Sequence, residues 1–416
     1  MAVVLVLLDA LRYDYINDQT TPFLNSLTGS SQYYKHIVPS YGFCERTEIL
    51  SGLKPDQSGY FTAIGYDIQG SPFFARKENL YVDRIFEMLP EQAKIPFLER
   101  TLNFKYYFRK IYSQYILKNR KTRNSLKPYN IPFSFLPYFN LTEDSEESPY
   151  ENVSKQYSIL KLLEESGKSY SLESFTSLND SISFTDEERF QMTIESLRKK
   201  EISLHLVYNS TADHYGHDFG PGSQRLIKEL QALDNQLEVF ICECLKIDKS
   251  TTFIILGDHG MEQVLHRVDV IQEVNAIAKI HKLKLIEDYI YFADSTMFRI
   301  WYHSKKARVS FKESLSKSNV LTTYGNLLNS SSAKEFNIPL GDKRYGDELW
   351  LANNGVLITP DFFNTGGGKQ GMHGYSPNQI NSHGTCIVTG ENTIPLFVEK
   401  AELSSVYSIL KEYLGL

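Results

Sequence analysis

Cysteine is scarce in this sequence, and its scarcity excludes one class of protein. The 416 residues include four cysteines, which are too few for the dense disulfide framework of a small secreted domain. So low a content is typical of a reducing compartment, and we expect a cytoplasmic location. The cysteines are Cys44, Cys242, Cys244 and Cys386. Cys242 and Cys244 fall within a helical pattern, so we expect them to pack rather than to bind a metal.

An excess of positive charge is also missing. The formal net charge is -6 at pH 7, and the sequence pI is about 6.0. A protein that binds nucleic acid through its phosphates usually carries a strong basic excess. We therefore expect no nucleic-acid binding.

Long apolar runs are missing as well. The opening apolar run ends at Leu8 and falls far short of the roughly 20 residues that a membrane-spanning helix needs. The start of the chain also lacks the basic residues and the small-residue cleavage site of a signal peptide. We expect no transmembrane segment and interpret residues 3–8 as a buried strand.

What the sequence does contain is an alternation of strand and helix patterns. Nearly continuous apolar, β-branched runs suit parallel strands that are covered on both faces. Helical periodicity lies between them, so we predict an α/β fold with a doubly wound, mostly parallel central sheet and helices on both faces. The predicted strands are 3–8, 202–208, 253–256, 289–293, 298–302, 348–352, 356–358 and 384–388. The predicted helices are 45–51, 223–245, 271–281, 311–316 and a last one that begins at Leu396 or Ala401 and ends at Tyr413.

The length of the chain and a change of composition predict how it is divided. We expect a single catalytic domain, 1–416, with an inserted cap at about 66–200 that shapes the substrate entrance. Residues 105–127 of this insert are rich in aromatic and basic side chains. They could contact an acidic polymer, a lipid head group or a membrane surface, or they could form an amphipathic helix with a solvated face.

Six side chains with metal-binding chemistry follow apolar strands or lie in loops that contain glycine. Carboxylate oxygen together with imidazole nitrogen suits Zn²⁺, and Mn²⁺ nearly as well. The six residues can supply three ligands to each of two ions, and two adjacent ions can bind both the attacking and the leaving oxygen of a phosphoryl group. The residues are Asp9, Asp213, His217, Asp258, His259 and His373.

These residues also have simpler interpretations. Asp9 would serve equally well as a helix N-cap, and Asp258 as a solvated turn residue. Asp213 and His217, four residues apart in what we expect to be a glycine-containing loop, are close enough to reach one ion. His373 lies in a glycine-rich loop, where a single histidine is usually solvated, so its assignment depends on the other five.

A loop that carries a hydroxyl group precedes the predicted helix 45–51. Ser40 follows a proline in this loop, and a hydroxyl held on a metal ion can be deprotonated and attack phosphorus. Arg46 in the helix and Lys369 in the glycine-rich loop could neutralise a phosphate oxygen. A structural salt bridge is an equal alternative for both.

Four motifs, in order along the chain, resemble those of the alkaline phosphatase superfamily. The nearest branch comprises the type I phosphodiesterases/nucleotide pyrophosphatases and the ethanolamine-phosphate transferases. The resemblance implies one zinc on Asp213, His217 and His373, and a second on Asp9, Asp258, His259 and the nucleophile. The motifs are Leu7-Leu8-Asp9-Ala10-Leu11-Arg12-Tyr13-Asp14, Asp213-x-x-Gly216-His217, Asp258-His259-Gly260-Met261 and Gly371-Met372-His373-Gly374-Tyr375.

The nucleophile is where the sequence departs from the family. The position that carries a threonine in the pyrophosphatase branch falls on Gly42, which has no side chain. Ser40 lies where the transferase branch has a hydroxyl after proline, so we predict Ser40 as the nucleophile, with Cys44 as the alternative. Zinc would bind a Cys44 thiolate strongly enough to blunt its attack. The Cys-x-Pro-x-Arg motif of sulfatases is absent, and we do not expect a sulfatase.

Together these patterns predict a two-metal phosphoryl-transfer enzyme. The first hypothesis is a phosphodiesterase or pyrophosphatase that hydrolyses a phosphate-ester small molecule. One alternative is a transferase that moves a phospho-group onto a glycan or lipid, which the basic aromatic segment and Ser40 favour. A second alternative is a catalytically inactive metal-binding module, which Gly42 favours.

Overall fold

A computed structural model gives the fold of the chain. It describes residues 2–43, 45–73, 79–89, 93–95, 100–102, 104–117, 126, 129–142, 158–174, 184–363 and 368–416. Cys44, the predicted alternative nucleophile, lies outside the described residues.

The described part of the chain contains nineteen strands and fourteen α-helices. None of these helices has the length and apolar character that crossing a bilayer requires. The strands are β1 Val3–Leu8, β2 Gln32–Val38, β3 Ile64–Tyr66, β4 Ala93–Ile95, β5 Arg100–Leu102, β6 Phe139–Leu141, β7 Ser169–Ser174, β8 Ile202–Asn209, β9 Thr252–Gly257, β10 Glu262–Gln263, β11 His266–Val268, β12 Tyr289–Ala293, β13 Met297–Tyr302, β14 Gly325–Leu327, β15 Glu348–Ala352, β16 Val356–Ile358, β17 Gly371–Met372, β18 Gly384–Thr389 and β19 Leu396–Glu402. The helices are α1 Pro22–Leu27, α2 Glu45–Ser51, α3 Pro55–Ser58, α4 Asn79–Met88, α5 Phe104–Leu117, α6 Ile159–Glu165, α7 Asp186–Leu197, α8 Thr211–Phe219, α9 Gln224–Ile247, α10 Val270–Ile280, α11 Lys305–Ser314, α12 Asn319–Tyr324, α13 Ser330–Glu335 and α14 Ser405–Leu414.

Seven strands form the central sheet, in the order β19-β2-β18-β9-β1-β8-β7. They run parallel except for β18, which is antiparallel to both of its neighbours. All six side chains of β1 are buried, and alternate ones enter two different cores because successive side chains face opposite sides of a sheet. The structure therefore confirms the predicted α/β fold, with a mostly parallel sheet covered on both faces. The two sets are Val3, Leu5 and Leu7 on one side and Val4, Val6 and Leu8 on the other.

Helices cover both faces of this sheet. On one face pack α2, α6 and α14, and on the other pack α1, α7 and α9. The buried stripe of α9 recurs every three or four residues, at Leu226, Leu230, Leu233 and Leu237. The helix predicted at 223–245 is thus present, and it presses its apolar face onto the sheet.

A second core surrounds a four-stranded antiparallel sheet of order β12-β13-β15-β14. Helices α10, α11 and α12 pack on it, as do the aromatic side chains of Phe133 and Phe139. Inside this region the Arg299 side chain is fully buried and pairs with Asp294 at 2.9 Å. The strand pattern predicted β12, β13 and β15 but did not reveal that they form a sheet of their own.

The range 66–200, predicted as an inserted cap, contributes to both cores. Strand β7 is an edge strand of the central sheet and α6 and α7 pack on that sheet, whereas β6 pairs with β3 beside the second core. Helix α5 contains the first part of the basic aromatic segment, and the guanidinium of its Arg109 lies over the rings of Phe86 and Phe133. This side chain therefore packs against the protein. The division of the chain into a catalytic domain and a cap stays a prediction.

The end of the chain differs from the predicted last helix. Strand β19 pairs in parallel with β2, and helix α14 begins only at Ser405. A helix that starts at Leu396 or Ala401 is therefore wrong. The backbone partner at the sheet edge decides this structure, and periodicity within a single segment does not show that partner.

Candidate active site

The six predicted ligands come together at one edge of the central sheet. They line a single cavity of about 890 Å³. Strands β1, β8 and β9 are neighbours, so the residues that follow them meet at the carboxyl edge. Asp9 follows β1, Asp258 and His259 follow β9, Asp213 and His217 lie on α8 directly after β8, and His373 follows β17.

Three of the six residues form a buried group, the strand-end cluster: Asp9, Asp258 and His259. The His259 Nε2 atom lies 3.1 Å from Asp9 Oδ1 and 3.8 Å from Asp258 Oδ1. The backbone N–H groups of Ala10 and His259 donate to Asp258 Oδ1 at 3.2 and 3.0 Å. The Tyr208 hydroxyl donates to Asp9 Oδ2 at 2.5 Å. Both carboxylates are therefore held in fixed orientations beside the imidazole.

Burial and charge act in opposite directions on the strand-end cluster. Burial favours the neutral carboxyl and raises the pKa of Asp258 to about 6. Burial also acts to raise the pKa of Asp9, but the hydrogen bond and the charge of His259 outweigh it and hold that pKa well below its ordinary value. Burial acts to lower the pKa of His259, yet the carboxylates of Asp258 and Asp9 raise it. The imidazolium and the carboxylates thus stabilise one another's charges.

The other three residues form the helix–loop cluster: Asp213, His217 and His373. Asp213 and His217 lie one turn apart on α8, so the prediction that they occupy a loop is wrong. The four-residue spacing places both side chains on one face of the helix. The Nε2 atoms of His217 and His373 lie 3.1 and 3.6 Å from Asp213 Oδ1. The expected closeness of these residues is therefore present, on a different local structure.

Two glycines matter here: Gly216 explains the wrong local prediction, and Gly371 the geometry of this cluster. Glycine disfavours helices, which makes the segment resemble a loop. A Cβ on Gly371 would lie 2.4 Å from the Gly216 carbonyl oxygen, so β17 runs directly against α8. The His217 Nδ1 atom lies 2.8 Å from the Gly371 carbonyl oxygen. Donation to that carbonyl orients the imidazole and leaves Nε2 facing Asp213.

The two clusters meet at His259 and His373. Their rings stack with centroids 4.0 Å apart and an interplanar angle of 15°. Burial lowers the pKa of His373, and the charges of His259 and His217 lower it further. His373 is therefore neutral at physiological pH, which is the form in which histidine binds a metal.

The helix–loop cluster fits a metal ion better than it fits a set of hydrogen bonds. Asp213 Oδ1 is buried and accepts no hydrogen bond from the described residues, although two imidazole nitrogens lie nearby. In each cluster, one ligand atom from each residue lies within 4.8 Å of the others. Bonds of about 2.1 Å to a common ion would close these separations with small side-chain movements. The oxygen and nitrogen donors suit Zn²⁺ or Mn²⁺.

The predicted nucleophile lies beside the cavity rather than among the residues that line it. Ser40 borders a small adjoining space together with Glu45, His259 and His373. Its backbone N–H donates to Glu48 Oε2 at 3.2 Å. The structure thus brings Ser40 close to both clusters without placing it among the described residues of the main cavity.

The two predicted substrate-binding residues both line the cavity. The Lys369 Nζ atom lies 2.7 Å from Asp218 Oδ1, and the Arg46 guanidinium lies over the Tyr208 ring at 5.3 Å from its centroid. Each cation therefore has a protein contact and also faces the space where a phosphate would bind.

Two residues of the site were not predicted from the sequence. Tyr208 ends an apolar run one residue before the end of β8, and that position was a usable signal because strand ends gather at the site. Glu45 is the first residue of α2, and its carboxylate lies within 4.8 Å of ligand nitrogens of His259 and His373. Burial raises the pKa of Glu45 to about 8. The usable signal in the sequence was a carboxylate directly after the loop that carries Ser40.

A sheet that gathers three carboxylates and three imidazoles at its carboxyl edge is typical of metal-dependent phosphoryl-transfer enzymes. Comparison with protein families supports a phosphodiesterase. The chain belongs to the type I phosphodiesterase / nucleotide pyrophosphatase family, whose model matches residues 3–376. The resemblance seen in the sequence motifs is thereby confirmed.

Individual relatives are more distant. Over 90 residues the chain is 33% identical to ectonucleotide pyrophosphatase/phosphodiesterase family member 1 of Mus musculus and of Rattus norvegicus. This match covers 20% of the chain and 10% of the length of each relative. Solved structures of murine and human ectonucleotide pyrophosphatase/phosphodiesterase 5 cover 100% of this chain, and 95% of each solved chain is matched. Their TM-scores are 0.64 and 0.65 at 16% and 15% identity, which establishes the shared fold.

Proposed function

We propose that the chain is a phosphodiesterase that binds two divalent metal ions, one in each cluster. The observation that carries this proposal is the meeting of two three-residue clusters at one cavity, with the rings of His259 and His373 4.0 Å apart. Family membership supports phosphodiesterase chemistry. Zn²⁺ is the proposed ion because the ligands mix carboxylate and imidazole, and Mn²⁺ is the alternative.

The surrounding residues orient the ligands for two metal ions. Two adjacent divalent ions supply positive charge that stabilises the oxygens of a phosphoryl group as they attack and leave. Tyr208 holds the Asp9 carboxylate, and the Gly371 carbonyl orients His217. His373 is kept neutral between the two clusters, ready to act as a ligand.

The cavity suits a phosphodiester with an aromatic substituent. Its volume of about 890 Å³ falls within the range of roughly 300–1,000 Å³ that is common for small-molecule sites. The Lys369 ammonium provides a positive charge near the ions. One solved relative, an inactive variant of murine ectonucleotide pyrophosphatase/phosphodiesterase 5, is in complex with AMP, which supports a nucleotide as the substrate class. The phenylalanine and tyrosine rings that line the cavity are those of Phe43, Phe184, Tyr208, Tyr215 and Phe363.

A chelation experiment tests the proposed function. The chain should hydrolyse bis(p-nitrophenyl) phosphate, lose the activity on treatment with EDTA and regain it when Zn²⁺ or Mn²⁺ is added. Removing an ion ligand by His217→Ala should lower kcat/KM by roughly 10²-fold or more, since ions contribute several kcal/mol to such reactions. His266→Ala, at an exposed histidine on β11 that is not among the described residues lining the cavity, is the control and should keep the activity.

Three outcomes separate the competing functions. Activity that survives complete metal removal would refute the two-ion proposal. Absence of turnover with metal bound would support the inactive module. With a sugar or alcohol acceptor present, a product formed on the acceptor would favour the transferase, whereas products formed with water alone would exclude it.

Ser40 remains the proposed nucleophile, and Cys44 the alternative. The support is the position of Ser40 at the small space bordered by His259 and His373. Rapid acid quenching after mixing with substrate, followed by peptide mass spectrometry, should reveal a phosphoryl adduct on Ser40 that Ser40→Ala abolishes. An adduct on Cys44 would transfer the role to the alternative residue.

A further inference from the structure

Glu45 is a carboxylate that faces the site but is not one of the six ligands considered above. It lines the main cavity and also the small space beside Ser40. One of its carboxylate oxygens lies within 4.8 Å of ligand nitrogens of both His259 and His373. His259 belongs to the strand-end cluster and His373 to the helix–loop cluster. Glu45 is thus placed at the boundary of the two.

The backbone before α2 leaves no space for a side chain at residue 42. Gly42 has a φ of +119°, and a Cβ there would lie 2.2 Å from the carbonyl oxygen of Phe61. The same carbonyl accepts a hydrogen bond from the backbone N–H of Phe43 at 2.9 Å, which fixes the two segments together. Residue 42 therefore cannot supply a ligand between the clusters, and Glu45 is the described acidic residue of this loop and helix that reaches them.

Glu48, one turn further along α2, shows what a purely structural carboxylate does in the same helix. It is 3% exposed, and its two oxygens accept the backbone N–H groups of Ser40 and Ser404 at 3.2 and 3.1 Å. These bonds tie the loop and the start of α14 to α2. Glu45, by contrast, faces the cavity and the imidazoles.

Charge gives an independent reason for a fourth carboxylate. The six ligands include three carboxylates, from Asp9, Asp213 and Asp258, whereas two divalent ions carry four positive charges. A negative charge on Glu45 would offset part of the remaining positive charge, and burying an uncompensated charge is costly.

We propose that Glu45 is a seventh metal ligand, which lies between the two ion positions and binds at the boundary of the clusters. This inference rests on the two-ion site of the proposed function. Because it concerns metal binding, it can be tested by measuring metal affinity, without any catalytic turnover.

The test measures metal binding in the full chain with Glu45→Gln, which keeps the size of the side chain and removes its charge. Ions per chain are counted by mass spectrometry of the metal after dialysis, and Zn²⁺ affinity is measured by competition with a chromophoric chelator. The wild-type chain should hold two ions, and Glu45→Gln should weaken Zn²⁺ binding by at least about 10-fold, since even indirect ligand partners contribute that much. Glu187→Gln is the control and should keep the wild-type affinity, because this exposed carboxylate on α7 lines the same cavity but belongs to neither cluster.

A second measurement keeps the proposal testable if Glu45→Gln folds poorly. In the Co²⁺-loaded protein, Glu45→Asp withdraws the carboxylate by one methylene and should shift the visible absorption bands of the bound cobalt. Two ions of wild-type affinity in Glu45→Gln, together with an unchanged cobalt spectrum in Glu45→Asp, would overturn the role of Glu45 and leave the two-ion function standing. A wild-type chain that binds no divalent ion would overturn both.

Discussion

The strand-end cluster and the helix–loop cluster use similar residues in different surroundings. The side chains of Asp9, Asp258 and His259 are 14%, 6% and 7% exposed, and they follow directly from central strands. Those of Asp213, His217 and His373 are 23%, 13% and 16% exposed, and they come from a helix and from the loop after a short strand that packs on it. The central sheet itself fixes one half of the site, whereas the contact of β17 with α8 fixes the other.

This difference has an energetic consequence. Charge interactions strengthen where water is excluded, and the strand-end carboxylates are also held by backbone N–H groups and by Tyr208. The strand-end cluster is therefore expected to hold its ion more tightly than the helix–loop cluster. Variants that affect one cluster at a time can test this ranking.

The largest effect is expected from removing a strand-end carboxylate. Asp258→Ala should lose the more tightly held ion and lower kcat by roughly 10³-fold, because an ion contributes several kcal/mol to the transition state. Asp213→Ala should lose only the helix–loop ion and retain one ion per chain. Metal counting and steady-state kinetics on both variants check this, with thermal unfolding to confirm that each is folded. An Asp213→Ala chain that loses both ions, beside an Asp258→Ala chain that keeps one, would reverse the ranking.

A smaller effect is expected when a metal ligand is kept but the hydrogen bond that orients it is removed. Tyr208→Phe deletes the hydroxyl that donates to Asp9, and loss of such a partner usually costs about 10–100-fold in metal affinity or activity. The loss should fall on the strand-end ion alone, which stepwise chelator titration can resolve. Tyr215→Phe, whose ring lines the same cavity from α8, serves as the control. An equal loss of affinity for both ions would show that Tyr208 does not act through Asp9.

The contrast between the clusters also explains what the sequence could predict. Asp9 and Asp258 were found because each directly follows an apolar run, and parallel strands bring such ends together. The structure places them beside His259 as that rule requires. The architecture was predictable for the same reason, since buried parallel strands are nearly continuous apolar runs.

What could not be predicted depends on contacts between distant segments. Helix α8 continues through Gly216, and Gly371 packs against the carbonyl oxygen of that residue, an approach that is visible only in three dimensions. Strand β19 pairs with β2, more than 350 residues earlier, as the register of Leu396 with Gln32 shows. The position of Glu45 beside both clusters likewise arises from the packing of α2 on one face of the central sheet. Local sequence patterns do not predict such distant partners.

The smallest predicted effect compares His259 with another buried imidazole, which has no carboxylate beside it in the sheet register of the described strands. His205 on β8 is 1% exposed, and its neighbours in the sheet register are the uncharged Val4 and Ser171. Burial lowers the pKa of His205 to about 4, whereas an unfolded histidine has a pKa of about 6.5. The stability that depends on neutral His205 is complete above pH 6.5. It is lost as the pH falls towards 4, because the unfolded chain takes up a proton that the folded chain does not.

His205→Leu should remove this pH-dependent contribution to stability without changing either cluster. Between pH 7 and pH 5 the wild-type free energy of unfolding should fall by about 2 kcal/mol more than that of the variant. Urea unfolding of the metal-free chains at both pH values measures the difference. An identical fall in the two proteins would mean that the folded chain protonates His205 as readily as the unfolded one. Burial without a carboxylate would then not suffice to keep an imidazole neutral in this sheet, and the charge state of His259 could not be credited to its neighbours.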